Sequence, residues 1–151
     1  MSSVIIRHMK ASDIYDIRKR PQTEGVDKTV PVGQAMALEA QPYSRTVCLE
    51  DGEILGVGGV IERWPGRAEC WAVLAPGTRK YMPEITKLTK EVLDSVEINR
   101  IEIAVRCDFA AGHEWATELG FKAEAECLEA YDAEGYDCSI YSRVKRRKGD
   151  S

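Results

Sequence analysis

"AECWAVLAPGTRKYMPEITKLTKEVLDSVEINRIEIAVRC", residues 68–107, carries a strand, a helix and a second strand in one uninterrupted run. Its first part, "AECWAVLA" (68–75), is almost continuously apolar and stops at Pro76 and Gly77, the pattern of a strand covered on both faces. From Pro83 onward Ile85, Leu88, Val92 and Val96 recur at helical spacing, with Lys87, Lys90, Glu91 and Asp94 elsewhere, which predicts an amphipathic helix of about three turns. "RIEIAVRC" (100–107) then returns to strand character. A strand, a helix and a strand in this order form a βαβ unit, so the two strands are expected to be parallel neighbours in one sheet.

Upstream, "SVIIRHM" (3–9) is rich in β-branched residues and reads as an opening strand. "ASDIYDIRKR" follows as a short helix carrying Ile14 and Ile17, with Ser12 or Asp13 as its cap. "PQTEGVDKT" (21–29) reads as a loop, and Pro31 starts a second helix, "VGQAMALEA". "SRTVCLED" and "EILGVGGVIERW" are two strands joined at Asp51-Gly52, a strong hairpin signal. Gly56, Gly58 and Gly59 imitate a dinucleotide fingerprint, but no helix follows them, so a bulge or close strand packing is the expected reason. Downstream, Asp108 is the candidate cap of the helix "FAAGHEWATEL", which stops at Gly120 with Phe121 supplying the apolar contact. "KAEAECLEAY" and "YDCSIYSRV" flank the turn "DAEG" as the last two strands.

The chain has 151 residues, of which 44% are hydrophobic, enough for one domain over 1–144 with a charged tail over 145–151. Its formal charge of −4 argues against a general nucleic-acid or membrane surface, because tracking phosphates needs a basic excess. The basic cluster Arg143, Lys145, Arg146, Arg147 and Lys148 reads as a solvated tail. No stretch approaches the ~20 apolar residues of a membrane span, and the N-terminus lacks the apolar run of a signal peptide. Five cysteines (Cys48, Cys70, Cys107, Cys127, Cys138) show no CxxC pair and are expected to be small buried apolar residues of a cytoplasmic, reducing compartment, without a structural disulfide. Two histidines without partners at ligand spacing make a metal site improbable.

The element order, with "AECWAVLAP" and "VRCDFAAGHEWATELGF" (105–121), resembles the GNAT superfamily of N-acetyltransferases over nearly the whole chain. The resemblance implies an α/β (α+β) fold: a mixed, mostly antiparallel sheet with helices on both faces. "GVGGV", "WPGRAECWAVL", "DFAAGHEWATELGF" and "AYDAEGYDCSIYSRV" are similar more narrowly to small GNAT-like proteins of tailed bacteriophages, including an internal virion protein. Two functions follow from the resemblance. One is acyl-CoA-dependent transfer from acetyl-CoA to a small-molecule or protein amine, in the host cytoplasm. The other is a catalytically silent structural role beside other virion proteins. Trp64 or a sheet edge could support a homodimer.

In that family the acyl thioester lies where two central strands splay, and the CoA pyrophosphate sits at the start of the next helix. Helix-start N–H groups lack intrahelical partners and lie at the positive end of the dipole, so they bind phosphate well. By the resemblance, Val73, Leu74, Ala75, Arg79, Lys80 and Tyr81 would hold the cofactor. The family pattern Arg/Gln-x-x-Gly-x-Gly/Ala matches at Arg79 but meets Met82 and Glu84 where small residues belong, and Pro83 removes an N–H. Transfer needs a base, donors for the oxyanion and an acid for the thiolate. Glu69, at the start of the central strand, is the candidate base. The N–H of Leu74 or Ala75 is the candidate oxyanion donor. The family's usual acid, a Tyr, is Ala116 here, which leaves His113 in the same helix as the substitute.

Overall fold

A computed structural model describes residues 3–18 and 30–145. The loop read over 21–29 and the tail beyond Lys145 lie outside the described residues, whereas Arg143 and Lys145, read as part of a solvated tail, are held in place: Arg143 pairs with Asp94, and Lys145 Nζ donates to the carbonyls of Asp94 and Val96. The elements are β1 (Val4–His8), α1 (Ala11–Arg18), α2 (Val32–Ala40), β2 (Arg45–Leu49), β3 (Ile54–Trp64), β4 (Arg67–Leu74), α3 (Met82–Ser95), β5 (Arg100–Arg106), α4 (Ala110–Glu118), β6 (Lys122–Leu128) and β7 (Cys138–Val144). A 3-10 turn, Arg79–Tyr81, runs directly into α3. The strands form a seven-stranded sheet in the order β1-β2-β3-β4-β5-β7-β6. The β4–β5 pair is parallel, and the β1–β2, β2–β3, β5–β7 and β6–β7 pairs are antiparallel. This is the mixed, mostly antiparallel sheet with helices that the resemblance implies.

The chain divides into two compact units, one of residues up to Ile61 plus Trp71–Leu93, the other of Glu62–Cys70 plus Asp94 onward. In the first, Met9, Ile14, Ile17, Ala35, Ile54 and Val57 form a buried cluster, with Trp71 and Val73 packed against it. Trp71 is therefore a packing residue. Asp13 does not cap α1 as its Ncap. It stands two residues inside the helix, and Oδ2 accepts the N–H of Lys10, which is half of a capping box. The same buried carboxylate accepts two bonds from Arg7 of β1 and the hydroxyl of Thr46 of β2. Burial alone would raise its pKa, but the bonds from Arg7, Lys10 and Thr46 outweigh it and hold Asp13 below the usual carboxylate range.

The glycines of β3 are packing residues, as expected. A Cβ on Gly58 would lie 2.8 Å from the carbonyl oxygen of Trp71, and one on Gly56 would lie 2.6 Å from the Leu74 side chain. At Gly58 the obstacle is backbone and cannot turn away, whereas at Gly56 the Leu74 side chain would have to shift.

In the second unit, Ile101, Val105, Ala116, Leu119, Phe121 and Tyr141 are buried. The end of α4 is a complete Schellman motif: Gly120 N–H bonds Thr117 O, Phe121 N–H bonds Ala116 O, and Gly120 has φ +93°. At its start, Asp108 is not the cap. The N–H groups of Gly112 and His113 bond the Phe109 carbonyl, which makes Phe109 the Ncap and leaves Asp108 outside the helix. The last hairpin is shorter than the sequence predicts. Within β6, Cys127 with φ +45° falls in the register shift between Ala125 and Leu128, and Ala130 with φ +47° follows the last paired residue, Leu128.

The cysteine reading needs correction. Cys107 and Cys127 form a disulfide, with Cα atoms 5.8 Å apart. Cys48 and Cys138 are free and buried as expected, and Cys70 is half-buried. Sequence spacing hides the pair, because β7 lies between β5 and β6 and brings residues 20 positions apart to the same place.

Candidate functional site

The residues after β4 belong to the first unit. Ala75 is buried and its N–H bonds the Leu55 carbonyl at 2.8 Å, so it has no donor to offer a ligand. N–H groups alternate sides along a strand, and that of Leu74 therefore points away from β3. Leu74 remains as the donor of the two candidates.

The helix begins one turn earlier than Pro83. Tyr81 N–H bonds Thr78 O at 2.8 Å and Met82 N–H bonds Arg79 O, closing the 3-10 turn. The backbone N–H groups of Thr78, Arg79 and Lys80 have no intramolecular acceptor among the described residues, and these are the orphan donors of the helix start. Met82, Pro83 and Glu84 thus lie past the open end of the helix. The missing N–H of Pro83 removes nothing from the anion-facing turn, and Glu84 Oε2 instead accepts the N–H of Val4 in β1 at 3.4 Å. Arg79 and Lys80 are exposed beside the free donors, and the Lys80 ammonium lies 5.1 Å from the Tyr81 ring centre. Three donors and two cations in one turn can hold a polyvalent anion. Thr78, buried at the same junction, escaped the sequence reading because a threonine after Pro-Gly looks like ordinary turn chemistry.

Glu69, in the second unit, is one member of a charged row. β4 and β5 pair in register at Arg67 with Arg100 and at Glu69 with Glu102, and the recorded ladder spans Arg67–Glu69. Alternation places these four side chains on one face. Arg63 donates to Glu69 Oε2 through two nitrogens, at 2.8 and 3.0 Å, and Arg67 reaches Glu69 Oε1 at 3.4 Å. Arg67 also donates to Glu102 at 2.8 Å, Arg100 to Glu102 at 2.6 Å, and Arg100 to Glu124. The Arg63–Glu69 end is exposed, with 47% and 41% of the two side chains open to solvent. The Glu102 side chain at the centre is only 15% exposed. Neither arginine was read as a Glu69 partner from sequence: Arg67 lies two residues away on β4 itself, and Arg63 reaches Glu69 from the end of β3.

The hydrogen bond from Arg67, with that from Arg100, holds Glu102 far below its ordinary value of 4.5, at about 2. A folded-state value below the unfolded one stabilises the fold at all pH above the unfolded value, and that contribution fades as pH falls from about 4.5 to about 2. Acid unfolding followed by circular dichroism should therefore steepen across this window, and Glu102→Gln should flatten it. An unchanged profile in Glu102→Gln would show that the pairs contribute nothing there.

His113 sits inside the second unit with both ring nitrogens engaged. Nε2 lies 3.0 Å from the Arg106 carbonyl, which can only accept, so Nε2 carries the proton of the neutral ring. Nδ1 then accepts the hydroxyl of Tyr141 at 2.7 Å. To donate a proton elsewhere, His113 has to release one of these partners. Ala116, where the resemblance puts a Tyr, is 1% exposed.

Among the described residues no group of three or more His, Cys, Asp or Glu could hold a metal ion, and no helix is long and apolar enough to cross a membrane.

The fold is shared with N-acetyltransferases of known structure. Ard1 from Thermoplasma volcanium matches with a TM-score of 0.71 at 15% identity, covering 95% of this chain and 99% of that one. The yncA protein of Salmonella typhimurium, whose structure contains its cofactor acetyl-CoA, matches with a TM-score of 0.69 at 14% identity, covering 97% and 96%. An acetyltransferase of the GNAT family from Bacillus anthracis matches with a TM-score of 0.67 at 12% identity, covering 95% and 96%. At these identities the likeness is one of fold. No protein-family model matches the chain, and no curated protein does.

Proposed function

We propose that the chain is an acyl-CoA-dependent N-acetyltransferase acting on an amine of a small molecule or protein. The observation that carries this reading is the open helix start after β4: three free N–H groups with Arg79 and Lys80 beside them, on a fold shared with a protein that holds acetyl-CoA. These residues would fit the cofactor's phosphates, with Leu74, Tyr81 and the backbone of Val73, whose side chain packs on the core, flanking the remainder and the Leu74 N–H available to a carbonyl oxygen. Acetyl-CoA would supply the acyl group. Glu69 would receive the amine proton, and to do so it must let go of Arg63. That release is cheap, since exposed ion pairs are worth ~0–1 kcal/mol. His113 would serve as acid by giving up its Nε2 proton, and to do so it must let go of the Arg106 carbonyl.

The second reading is a catalytically silent relative, of the phage structural or virion type. The buried Ala116 in place of an acid and the two arginines on Glu69 favour it.

Calorimetric titration with acetyl-CoA separates the two. The first reading expects saturable binding, with stabilisation of ~2.7 kcal/mol at a hundred times the dissociation constant. Arg79→Ala should then weaken binding by about tenfold, the effect of a lost charge-assisted contact. Glu69→Gln should spare binding and slow transfer, and an unchanged turnover would remove Glu69 from the chemistry. Absence of binding at millimolar acetyl-CoA would leave only the silent reading.

A further inference from the structure

The disulfide includes none of the residues assigned to the proposed transfer and is chemically asymmetric. Cys107 follows β5 directly and is half-buried, whereas Cys127 is exposed in the irregular part of the edge strand β6. Ser139 of β7 lies between them and is buried. Its Oγ accepts the N–H of Cys127 at 3.2 Å and lies 3.7 Å from the sulfur of Cys107. A disulfide sulfur has no hydrogen, so in that second contact Ser139 is the donor. The hydroxyl proton is thereby aimed at one sulfur of the pair, that of the half-buried Cys107.

We propose that the Cys107–Cys127 disulfide is a thiol-exchange site at which a low-molecular-weight thiol adds to Cys127 and Cys107 leaves. The thiolate attacks the exposed Cys127 sulfur, a new S–S bond forms there, and the electron pair of the broken bond stays on Cys107. Ser139 Oγ–H donates to the resulting Cys107 thiolate, and a leaving thiolate that is better stabilised leaves faster. A second thiol then attacks the mixed disulfide. Two thiols are oxidised to one external disulfide, and Cys107 and Cys127 are both reduced. Cys138 does not intercept the intermediate: burial, together with the Asp132 carboxylate, pushes its thiol up and keeps it protonated, and it donates to Tyr136 O.

Exchange also removes the covalent tie between β5 and the outer half of the hairpin. What then holds the hairpin tip is its ladder with β7 and the Arg106 side chain, which bonds Asp132 and Glu134 and stacks 3.9 Å from the centre of the Tyr136 ring. The site therefore couples thiol status to the order of residues 126–137.

The test treats the oxidised full chain with reduced glutathione, quenches with acid, alkylates with iodoacetamide and maps the adducts by peptide mass spectrometry. Glutathione should be found on Cys127 and the alkyl group on Cys107. Glutathione mainly on Cys107, or equally on both, overturns the assignment. So does alkylation of both residues before glutathione is added, which means that no disulfide exists. Ser139→Ala should slow the exchange about fivefold, the worth of one hydrogen bond to the leaving group, and an unchanged rate also overturns the assignment. If that variant does not fold, the adduct map of the unaltered protein decides alone. Hydrogen exchange of residues 126–137 should speed up on glutathionylation, and unchanged protection would refute the coupling to the hairpin.

Discussion

Gly58→Ala should lower the melting temperature by roughly 5–10 °C, corresponding to about 2–3 kcal/mol for a chain of this size. The added Cβ would lie 2.8 Å from the Trp71 carbonyl oxygen and 3.4 Å from both Cα and Cβ of Ala72. The first of these is a backbone atom that cannot rotate away, so the strand itself has to move. Trp71 and Val73 pack on the buried cluster of Met9, Ile14 and Ile54, and the displacement is carried into that core. Gly33→Ala provides the control. It lies in α2 with nothing within 4 Å of the added Cβ, and exchanging glycine for alanine in a helix stabilises by ~0.5–1 kcal/mol. Scanning calorimetry should thus give shifts of opposite sign. Equal melting temperatures for Gly58→Ala and the parent protein would mean that the strands approach less closely than described.

Removing the disulfide in the Cys107→Ser, Cys127→Ser double variant should cost about 3 kcal/mol, since a cross-link between residues 20 positions apart restricts the unfolded chain by about that much. Urea unfolding under oxidising conditions should show the loss as a lower midpoint, and under a strong reductant the parent and the variant should coincide. The effect on global stability acts chiefly on the unfolded state, so circular dichroism spectra of the two folded proteins should be nearly the same, with the change in the folded state confined to hydrogen exchange over residues 126–137. A difference of less than ~0.5 kcal/mol between oxidised and reduced parent protein would mean that the bond does not constrain the unfolded chain.

The parts of the molecule legible in sequence are those set by neighbours along the chain. Alternation and apolar runs marked β4 and β5, the spacing of Ile85, Leu88 and Val92 marked α3, and Gly120 with Phe121 marked the end of α4. Each depends on periodicity or on backbone freedom at one residue. The start of α3 was misplaced because Pro83 is so favourable in a first turn that it conceals a 3-10 turn beginning at Arg79. Asp108 was misread for a similar reason: a good capping side chain lay one residue outside the actual cap.

What the sequence determined by itself was the order of the elements, and with it the parallel β4–β5 pair and the place of Arg79 and Lys80 between β4 and the following helix. What only the tertiary structure decided was the set of partners drawn from distant positions. Arg67 of β4 meets Glu102 of β5, Tyr141 closes on His113, Thr46 reaches Asp13, and Cys107 joins Cys127 across Ser139. Local pattern depends on the few residues within a turn or a strand. These contacts depend on which strands lie side by side and in what register, a property of the assembled sheet.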